Sequence, residues 1–309
     1  MEFIHILYIL ISLVLLWKGA DSLVESAARI AYTLGISQLV IGLTVVAFGT
    51  SAPEFAVTLN AAIKGQANIS VSNVIGSNIF NLGFILGGVA ILQTIRTNAR
   101  IVWRDGMVLI ATTITILFFL WDLHFTRLEG IILLSGLIIY LSSLFIMKEE
   151  PDTDIELEQA TRKDYLILLG GIAAVVLGGH LLKEGAVGIA ESMGVSQWII
   201  GVTIVAAGTS APEFVTSLMA AIKGHHGISA GNLIGSDLFN LLGVLGLAGV
   251  LSPMTISEQA RGSLLMLVGM VIIVVIMMRS GWQLSRKEGI FLVTVNLLRW
   301  VGDYLGHGG

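Results

Sequence analysis

The sequence of 309 residues contains no cysteine, and only 12% of its residues are charged. The lack of cysteine excludes disulfides, thiolate metal sites and cysteine nucleophiles, and it leaves the redox compartment undecided. The lack of charge leaves too little polar surface for a soluble domain of this length, because 55% of the residues are apolar and the mean hydropathy is +0.89. The sequence therefore predicts an integral membrane protein.

Apolar segments long enough to cross a bilayer recur along the whole chain. A hydrocarbon core of about 30 Å requires roughly 20 apolar residues in a helix. The first such segment lacks the basic start and the small-residue cleavage site of a signal peptide, so we expect it to be retained. We predict ten transmembrane helices, at about 3–31, 37–63, 70–92, 101–121, 128–147, 165–191, 196–222, 228–251, 261–279 and 286–305.

Two motifs occur twice in the chain with the same spacing. Residues 36–55 return as residues 195–214 with 14 of 20 positions identical, and both copies end in GTSAPEF. A second motif, GSNIFN at 76–81, returns as GSDLFN at 235–240, and both pairs keep an offset of 159 residues. Such a duplication predicts two equivalent halves, with the functional site where the halves meet.

The predicted helices divide into five before and five after an acidic stretch. We therefore expect a first repeat at 1–147, a solvated linker at 148–164 and a second repeat at 165–309. Because five is odd, the second repeat enters the membrane from the opposite side. The expected fold class is an all-α integral membrane protein of ten transmembrane helices in two inverted five-helix repeats, with broken helices two and seven at the midplane. Inverted halves can open one shared site to each side in turn.

Basic residues in the loops predict the orientation in the cell membrane, because an excess of Lys and Arg marks the cytoplasmic face. The side that holds Met1 carries few of them: Lys64, Arg127, Arg261 and Arg299. The opposite side carries many more: Arg29, Arg96, Arg100, Arg104, Lys148, Arg162, Lys163, Lys223, Arg279, Arg286 and Lys287. We therefore expect a multi-pass protein with both termini extracellular and the linker 148–164 cytoplasmic.

The GTSAPE motif places groups in mid-span that a lipid-facing helix does not tolerate. Proline leaves backbone carbonyls without intrahelical partners, which occurs at membrane depth only inside protein or beside a watery cavity. Glu54 and Glu213 add carboxylates to the low-dielectric centre, with no Lys or Arg in either motif. Ionisable residues at this depth indicate function, so a bound cation is the expected partner. A kinked helix with a protonated, hydrogen-bonded glutamate is the purely structural alternative.

Oxygen atoms near these glutamates predict the kind of cation. Hydroxyl oxygens come from four residues of the motif: Thr50, Ser51, Thr209 and Ser210. Ser77 with Asn81, and Ser236 with Asn240, stand four residues apart and so share a helical face. Ligand sets made of oxygen suit Na⁺, Ca²⁺ or Mg²⁺ rather than zinc or copper, and flexible ligands favour Ca²⁺ over Mg²⁺. Two glutamates balance one divalent ion.

The second half of the first span carries Lys18, Asp21, Glu25 and Arg29 on one helical face. They can neutralise one another at a helix end near the interface, or they can line an ion vestibule or gate. In the sixth span only Glu184 matches, at the position of Glu25.

The motifs resemble the two α-repeats of the sodium/calcium exchanger family, within the cation/calcium antiporter group. The resemblance extends to the ten spans and to KGAD at residues 18–21, and so covers most of the chain. It implies that Glu54 and Glu213, with Thr50 and Thr209, hold Ca²⁺. The implied Na⁺ sites around it draw on Ala47, Ser51, Ser77, Asn81, Ala206, Ser210, Ser236 and Asn240.

The resemblance also implies a mechanism. Spans one and six would slide across the remaining helices, and inward Na⁺ flow would drive Ca²⁺ extrusion. Both ions would be bound as transported substrates, without a cofactor. Besides the lipid bilayer, neither a protein partner nor a nucleic acid is implied, and the site can form within one chain.

The sequence departs from the family pattern in the second motif. Members often carry an acidic residue at the position of Asn81 or Asn240, whereas both are amides here. Asp237 instead replaces the asparagine expected from Asn78, three residues before Asn240. Asp237 either supplies a third charge to the site or lines its approach, which leaves the ion stoichiometry and any K⁺ dependence open. The linker is too short for the regulatory calcium-binding domains of animal exchangers.

Other functions use the same residues. In a cation/proton antiporter, Glu54, Glu213 or Asp237 would alternate between a proton and a cation. Proton-coupled calcium exchangers usually carry a Gly-Asn motif before the glutamate, and the GTSAPE motif argues against that branch without excluding proton coupling. A cation channel is disfavoured by inverted repeats with broken helices. A hydrolase using Ser51 or Ser210 lacks a His or Lys base in either motif. The sequence thus predicts a transporter rather than an enzyme.

Overall fold

A computed structural model describes residues 2–147, 158–195 and 204–306. Most of the acidic linker and the start of the seventh predicted span therefore lie outside the described residues. The helices follow the order of the predicted spans: α1 (Glu2–Leu34), α2 (Gln38–Thr50), α3 (Ala52–Ile63), α4 (Ala67–Leu92), α5 (Ile101–Asp122), α6 (Arg127–Ile146), α7 (Arg162–Ser192), α8 (Ala206–Thr209), α9 (Ala211–Ile222), α10 (His226–Leu251), α11 (Gln259–Trp282) and α12 (Arg286–Gly306). Within the described ranges, seven helices are long and apolar enough to span a membrane, and α2 with α3 forms an eighth, bent span.

Helices two and seven are broken where the sequence predicts. The axes of α2 and α3 differ by 53°. The break lies at Ser51 (φ −81°, ψ 6°) and its counterpart at Ser210 (φ −94°, ψ 8°). Pro53 and Pro212 follow in the first turns of α3 and α9. N–H groups in a first turn have no intrahelical acceptor, so the N–H that proline lacks costs no hydrogen bond there. The local sequence thus ends one helix and starts the next inside the membrane.

Wider π-helical turns occur in several of the described helices. They include Gly42–Val46, Asn81–Ile85, Ile101–Gly106 and Phe239–Val244. Asn81 and Asn240 both fall within such turns. Since π-turns inside α-helices frequently occur at functional sites, they agree with the predicted role of these two asparagines.

Two short antiparallel strand pairs, which the sequence analysis does not predict, join the halves. β1 (Ile95–Arg96) pairs with β4 (Gln283–Leu284), and β2 (His124–Phe125) pairs with β3 (Met254–Thr255). The two pairs are related by the same repeat offset of 159 residues, which relates β1 to β3 and β2 to β4. Each pair connects a loop of the first half to a loop of the second.

The first helices of the two halves, α1 and α7, pack against each other along their length and run antiparallel. Gly171, Gly178 and Gly185 of α7 face α1 at intervals of seven residues, and a Cβ at Gly185 would lie 2.7 Å from the carbonyl oxygen of His5. Small residues of this kind allow membrane helices to approach closely. The two helices therefore form a tightly packed pair.

The remaining helices pack through a second set of close glycine contacts. A Cβ at Gly130 of α6 would lie 2.6 Å from the carbonyl oxygen of Gly246 in α10, and a Cβ at Gly289 of α12 would lie 2.6 Å from that of Gly87 in α4. These contacts are equivalent by the 159-residue repeat. Gly87 and Gly246 thus allow α4 and α10 to pack closely against α12 and α6.

We predict that Gly130→Ala destabilises the protein by about 1–3 kcal/mol, because the added methyl group overlaps backbone atoms that cannot rotate away. The matched control is Gly262→Ala, since a Cβ at Gly262 meets nothing within 4 Å. That change should be neutral or stabilising by up to about 1 kcal/mol through helix propensity. Thermal unfolding in detergent, followed by tryptophan fluorescence, measures both; equal midpoints for the two variants would contradict the prediction.

Candidate cation-binding site

The two helix breaks meet at the centre of the molecule and exchange hydrogen bonds. Ser51 Oγ of the first half donates to Glu213 Oε1 of the second at 3.1 Å, and Ser210 Oγ donates to Glu54 Oε1 at 3.3 Å. Glu54 and Glu213 are only 1% and 0% exposed. The two halves therefore build one site, and each half hydrogen-bonds the carboxylate of the other.

Several oxygens at this centre are buried without a hydrogen-bond partner among the described residues. They are Glu54 Oε2, Glu213 Oε2, Asn81 Oδ1 and Asn240 Oδ1, together with Asn240 Nδ2. Leaving a buried polar group unpaired costs about 1–3 kcal/mol, so each such group requires an explanation. Carboxylate and amide oxygens are ligands of hard cations. In the described part of the chain no three His, Asp or Glu side chains gather as a metal cluster, so neutral oxygens would have to complete the coordination.

Thr50 connects the first half to α10. Its Oγ1 lies 3.0 Å from Asn232 Oδ1, 3.3 Å from the carbonyl oxygen of Ala47 and 3.4 Å from Ser236 Oγ. Thr50, Ala47 and Ser236 are fully buried. The structure thus brings these three predicted residues together at one contact between the repeats.

A supporting layer of polar residues was missed by the sequence analysis. Asn232 Nδ2 donates to Ser217 Oγ at 2.8 Å and to the carbonyl oxygen of Glu213 at 3.3 Å. In the other half, Asn73 Nδ2 donates to Thr58 Oγ1 at 2.9 Å. These residues hold α9 on α10 and α3 on α4. The sequence repeat could have identified this layer, because the Asn232–Ser217 pair and the Asn73–Thr58 pair are related by the 159-residue offset.

Asp237 binds across the halves but beside the glutamate pair. Asn81 Nδ2 donates to Asp237 Oδ1 at 3.1 Å, and Asp237 is 1% exposed. Both residues border an enclosed void of about 10 Å³ whose other walls are apolar side chains and Gly106, contributed by α4, α5, α10 and α11. This volume is near the lower limit for one water molecule. Asp237 thus joins α4 to α10, and its charge lies close to the site.

The other predicted residues lie toward one end of the molecule. Ser77 and half-buried Thr209 line a cavity of about 380 Å³ between α3, α4, α8 and α12, together with Val57 and Asn73. The cavity opens where α3 ends at Lys64, which we call the Lys64 face. Ala206 begins α8, but its side chain lies outside the described residues.

The opposite end, where α9 ends at Lys223, is closed; we call it the Lys223 face. Comparison of residues related by the repeat shows the difference. Val57 is 39% exposed and its counterpart Thr216 is 0% exposed; Asn73 is partly exposed and its counterpart Asn232 is 0% exposed. Among the described residues, the cavity that Ser77 and Thr209 line therefore lies at the Lys64 face, whereas the equivalent residues at the Lys223 face are buried.

The class of protein follows from three features: inverted repeats, two broken helices and a central oxygen-lined site with an open cavity on one side. Together they are typical of a secondary transporter. The family described as Sodium/calcium exchanger protein matches residues 4–146 and 163–298. The chain belongs to the sodium/calcium exchanger family and is a multi-pass membrane antiporter, not an enzyme.

Individual relatives match nearly the whole chain. CaxA of Alkalimonas amylolytica is 36% identical over 301 residues, covering 93% of this chain and 94% of its own. The sodium/calcium exchanger MaX1 of Methanosarcina acetivorans is 31% identical over 334 residues, covering 94% and 95%. A structure of the sodium-calcium exchanger NCX_Mj, soaked with Na⁺ and Sr²⁺, superposes with a TM-score of 0.86 at 30% identity, over 97% of this chain and 99% of that one. The predicted fold of ten transmembrane helices in inverted repeats is confirmed.

Proposed function

We propose that this antiporter exchanges Na⁺ for Ca²⁺ by alternating access and extrudes Ca²⁺ from the cytoplasm. One observation carries the proposal: each glutamate of the central pair accepts a hydrogen bond from the opposite half and keeps its second oxygen unpartnered among the described residues. Two carboxylates facing one point supply the charge that balances a divalent cation. The names of MaX1 and NCX_Mj, both sodium/calcium exchangers, support this choice of ions.

In this proposal Ca²⁺ is held by Glu54 and Glu213, with oxygens of Thr50 and Thr209. Na⁺ ions occupy neighbouring positions built from Ala47, Ser51, Ser77, Asn81, Ala206, Ser210, Ser236 and Asn240. The unpartnered amide oxygens of Asn81 and Asn240 support the inclusion of both. Asp237 contributes charge from beside the site.

We predict that proteoliposomes loaded with Na⁺ and diluted into Na⁺-free buffer take up radioactive Ca²⁺, and that Glu54→Gln with Glu213→Gln abolishes the uptake. The double variant removes both negative charges while keeping side-chain size. Glu258→Gln is the control, because Glu258 is 81% exposed and far from the site in the fold. Uptake driven by a proton gradient alone would replace the proposal with Ca²⁺/H⁺ exchange; uptake driven by neither gradient would overturn Ca²⁺ as the substrate.

We predict that Asp237→Asn lowers Ca²⁺ affinity by about tenfold or less, whereas Glu213→Gln lowers it by more than about a hundredfold, or roughly 2.7 kcal/mol. The reason is that Asp237 acts through space while its Oδ1 accepts from Asn81. Titration calorimetry in Na⁺-free detergent measures both affinities. Equal losses in the two variants would instead make Asp237 a direct third ligand.

We also propose that the Lys64 face is extracellular, as the loop charges predict, with repeats 1–147 and 165–309 joined by the linker 148–164 in the cytoplasm. The chain has no native cysteine, so single cysteines report the orientation directly. An impermeant thiol reagent should label Lys64→Cys on intact cells, and Glu158→Cys only after lysis. The reverse pattern would invert the assignment and the direction of Ca²⁺ transport.

A further inference from the structure

The charged face of α1 binds a lysine from the other half. Lys223, which follows α9, contacts Asp21 Oδ1 at 2.5 Å and also pairs with Glu25 Oε1. The spacing of the charged residues along the sequence indicates pairing only within α1. The contact instead connects α1 to the loop between α9 and α10, at the closed face of the molecule.

A second pair of contacts extends this connection to α7. Arg29 Nη2 lies 3.2 Å from Glu25 Oε2, and Arg29 Nη1 lies 3.1 Å from Asp164 Oδ1. Asp164 also forms a capping box with Thr161 at the start of α7. We call Asp21, Glu25, Arg29, Asp164 and Lys223 the Lys223 network. It joins α1, α7 and the end of α9.

At the described positions that the repeat makes equivalent, the open face has no matching set of ion pairs. At the 159-residue offset, Asp21, Arg29 and Asp164 correspond to His180, Gly188 and His5. The His5 ring packs against Gly188, so a close contact without an ion pair stands where the Arg29–Asp164 pair would be.

The two remaining positions keep their charge, but they do not join helices. Glu184, the counterpart of Glu25, pairs with its neighbour Lys183 at 3.0 Å. Lys64, the counterpart of Lys223, is exposed and forms no ion pair with any described residue. Among the described repeat-equivalent positions, this set of ion pairs is therefore formed at the closed face and not at the open one.

Lys223 stays charged at physiological pH. Burial lowers the pKa of its ammonium group, but the hydrogen bonds to Asp21 and Glu25 raise it by more, so that the net pKa lies above the usual lysine value. Its side chain is 23% exposed, and those of Asp21 and Glu25 are 35% and 44% exposed. Water therefore reaches the network, which can break and re-form.

We propose that the Lys223 network is a latch that keeps the Lys223 face closed while the site is open to the Lys64 face. The latch rests on the proposed function, alternating access, and on the movement of α1 and α7 across the other helices that the family resemblance implies. Because Lys223 is attached to α9 and its acidic partners to α1, that movement must separate them. Lys223 is thus a positioning residue that sets which face is open, without contacting the ions.

Single cysteines in the otherwise cysteine-free chain test the latch. Val57→Cys lies in the open cavity, and Thr216→Cys lies at the equivalent, fully buried position in α9. With the latch intact, an impermeant thiol reagent should label Val57→Cys readily and Thr216→Cys slowly. Adding Lys223→Gln should speed labelling of Thr216→Cys by about fivefold to tenfold and slow that of Val57→Cys, as expected when two partly exposed ion pairs are lost.

Two control variants isolate the charge contacts. Lys64→Gln neutralises the equivalent lysine, which has no ion pair among the described residues, and should leave both labelling rates unchanged. Lys223→Arg keeps the charge and should behave as the parent. If Lys223→Gln does not fold, Glu25→Gln in the same two backgrounds replaces it, because it removes a partner of both Lys223 and Arg29.

Opposite changes at the two cysteines support the latch. A faster reaction at Thr216→Cys without a slower one at Val57→Cys would indicate local loosening and overturn it, as would unchanged rates. Labelling in detergent does not depend on which ions are carried. A protein that fails to exchange Na⁺ for Ca²⁺ but shows the reciprocal change would refute the proposed function and keep the latch.

Discussion

Two carboxylates buried at the centre of a membrane protein, without an ion pair to any described Lys or Arg, are the constraint on which this structure depends. Burying a charge is tolerated only with pairing or hydrogen bonds. The chain meets this requirement by breaking two helices, so that Ser51 and Ser210 reach the glutamates of the opposite half. Because one oxygen of each glutamate remains unpartnered in the described structure, the same arrangement that tolerates the carboxylates leaves them available to a cation.

The duplicated sequence gives both halves the same elements, yet the structure is open at one face and closed at the other. Thr216 and Asn232 are fully buried, while their counterparts Val57 and Asn73 border an open cavity. Conserved repeat elements therefore do not decide which face is open. Two equivalent halves can exchange these conformations, so a preference for one of them has to come from positions where the repeats diverge. Asp21, Arg29 and Asp164 of the Lys223 network are such positions.

Sequence reasoning succeeded where the signal is local or repeated. Proline and glycine in mid-span predicted both helix breaks, and the fixed offset predicted the inverted halves that carry Glu54 and Glu213. It did not predict contacts between segments far apart in sequence, such as Lys223 with Asp21 or Asn81 with Asp237. Pairing within one helix can be inferred from spacing, whereas pairing between helices depends on how they cross. The strand pairs were missed for another reason, because two residues are too few to show a periodic pattern.

The bound ion and the latch contribute free energies of different size, and they therefore have different roles. If the site were closed off while empty, two carboxylates would remain in a low-dielectric interior without a counter-charge, at an effective cost of several kcal/mol per ion. In the proposed exchanger a bound cation removes most of that cost, so movement between the two states is favoured when the site is loaded. The partly exposed pairs of the Lys223 network are worth about 0.2–1 kcal/mol each. These ion pairs can bias the resting protein toward the state that is open at one face. They are too weak to prevent the change of state once an ion is bound. An exchanger requires that the energy of ion binding exceed the energy of such contacts.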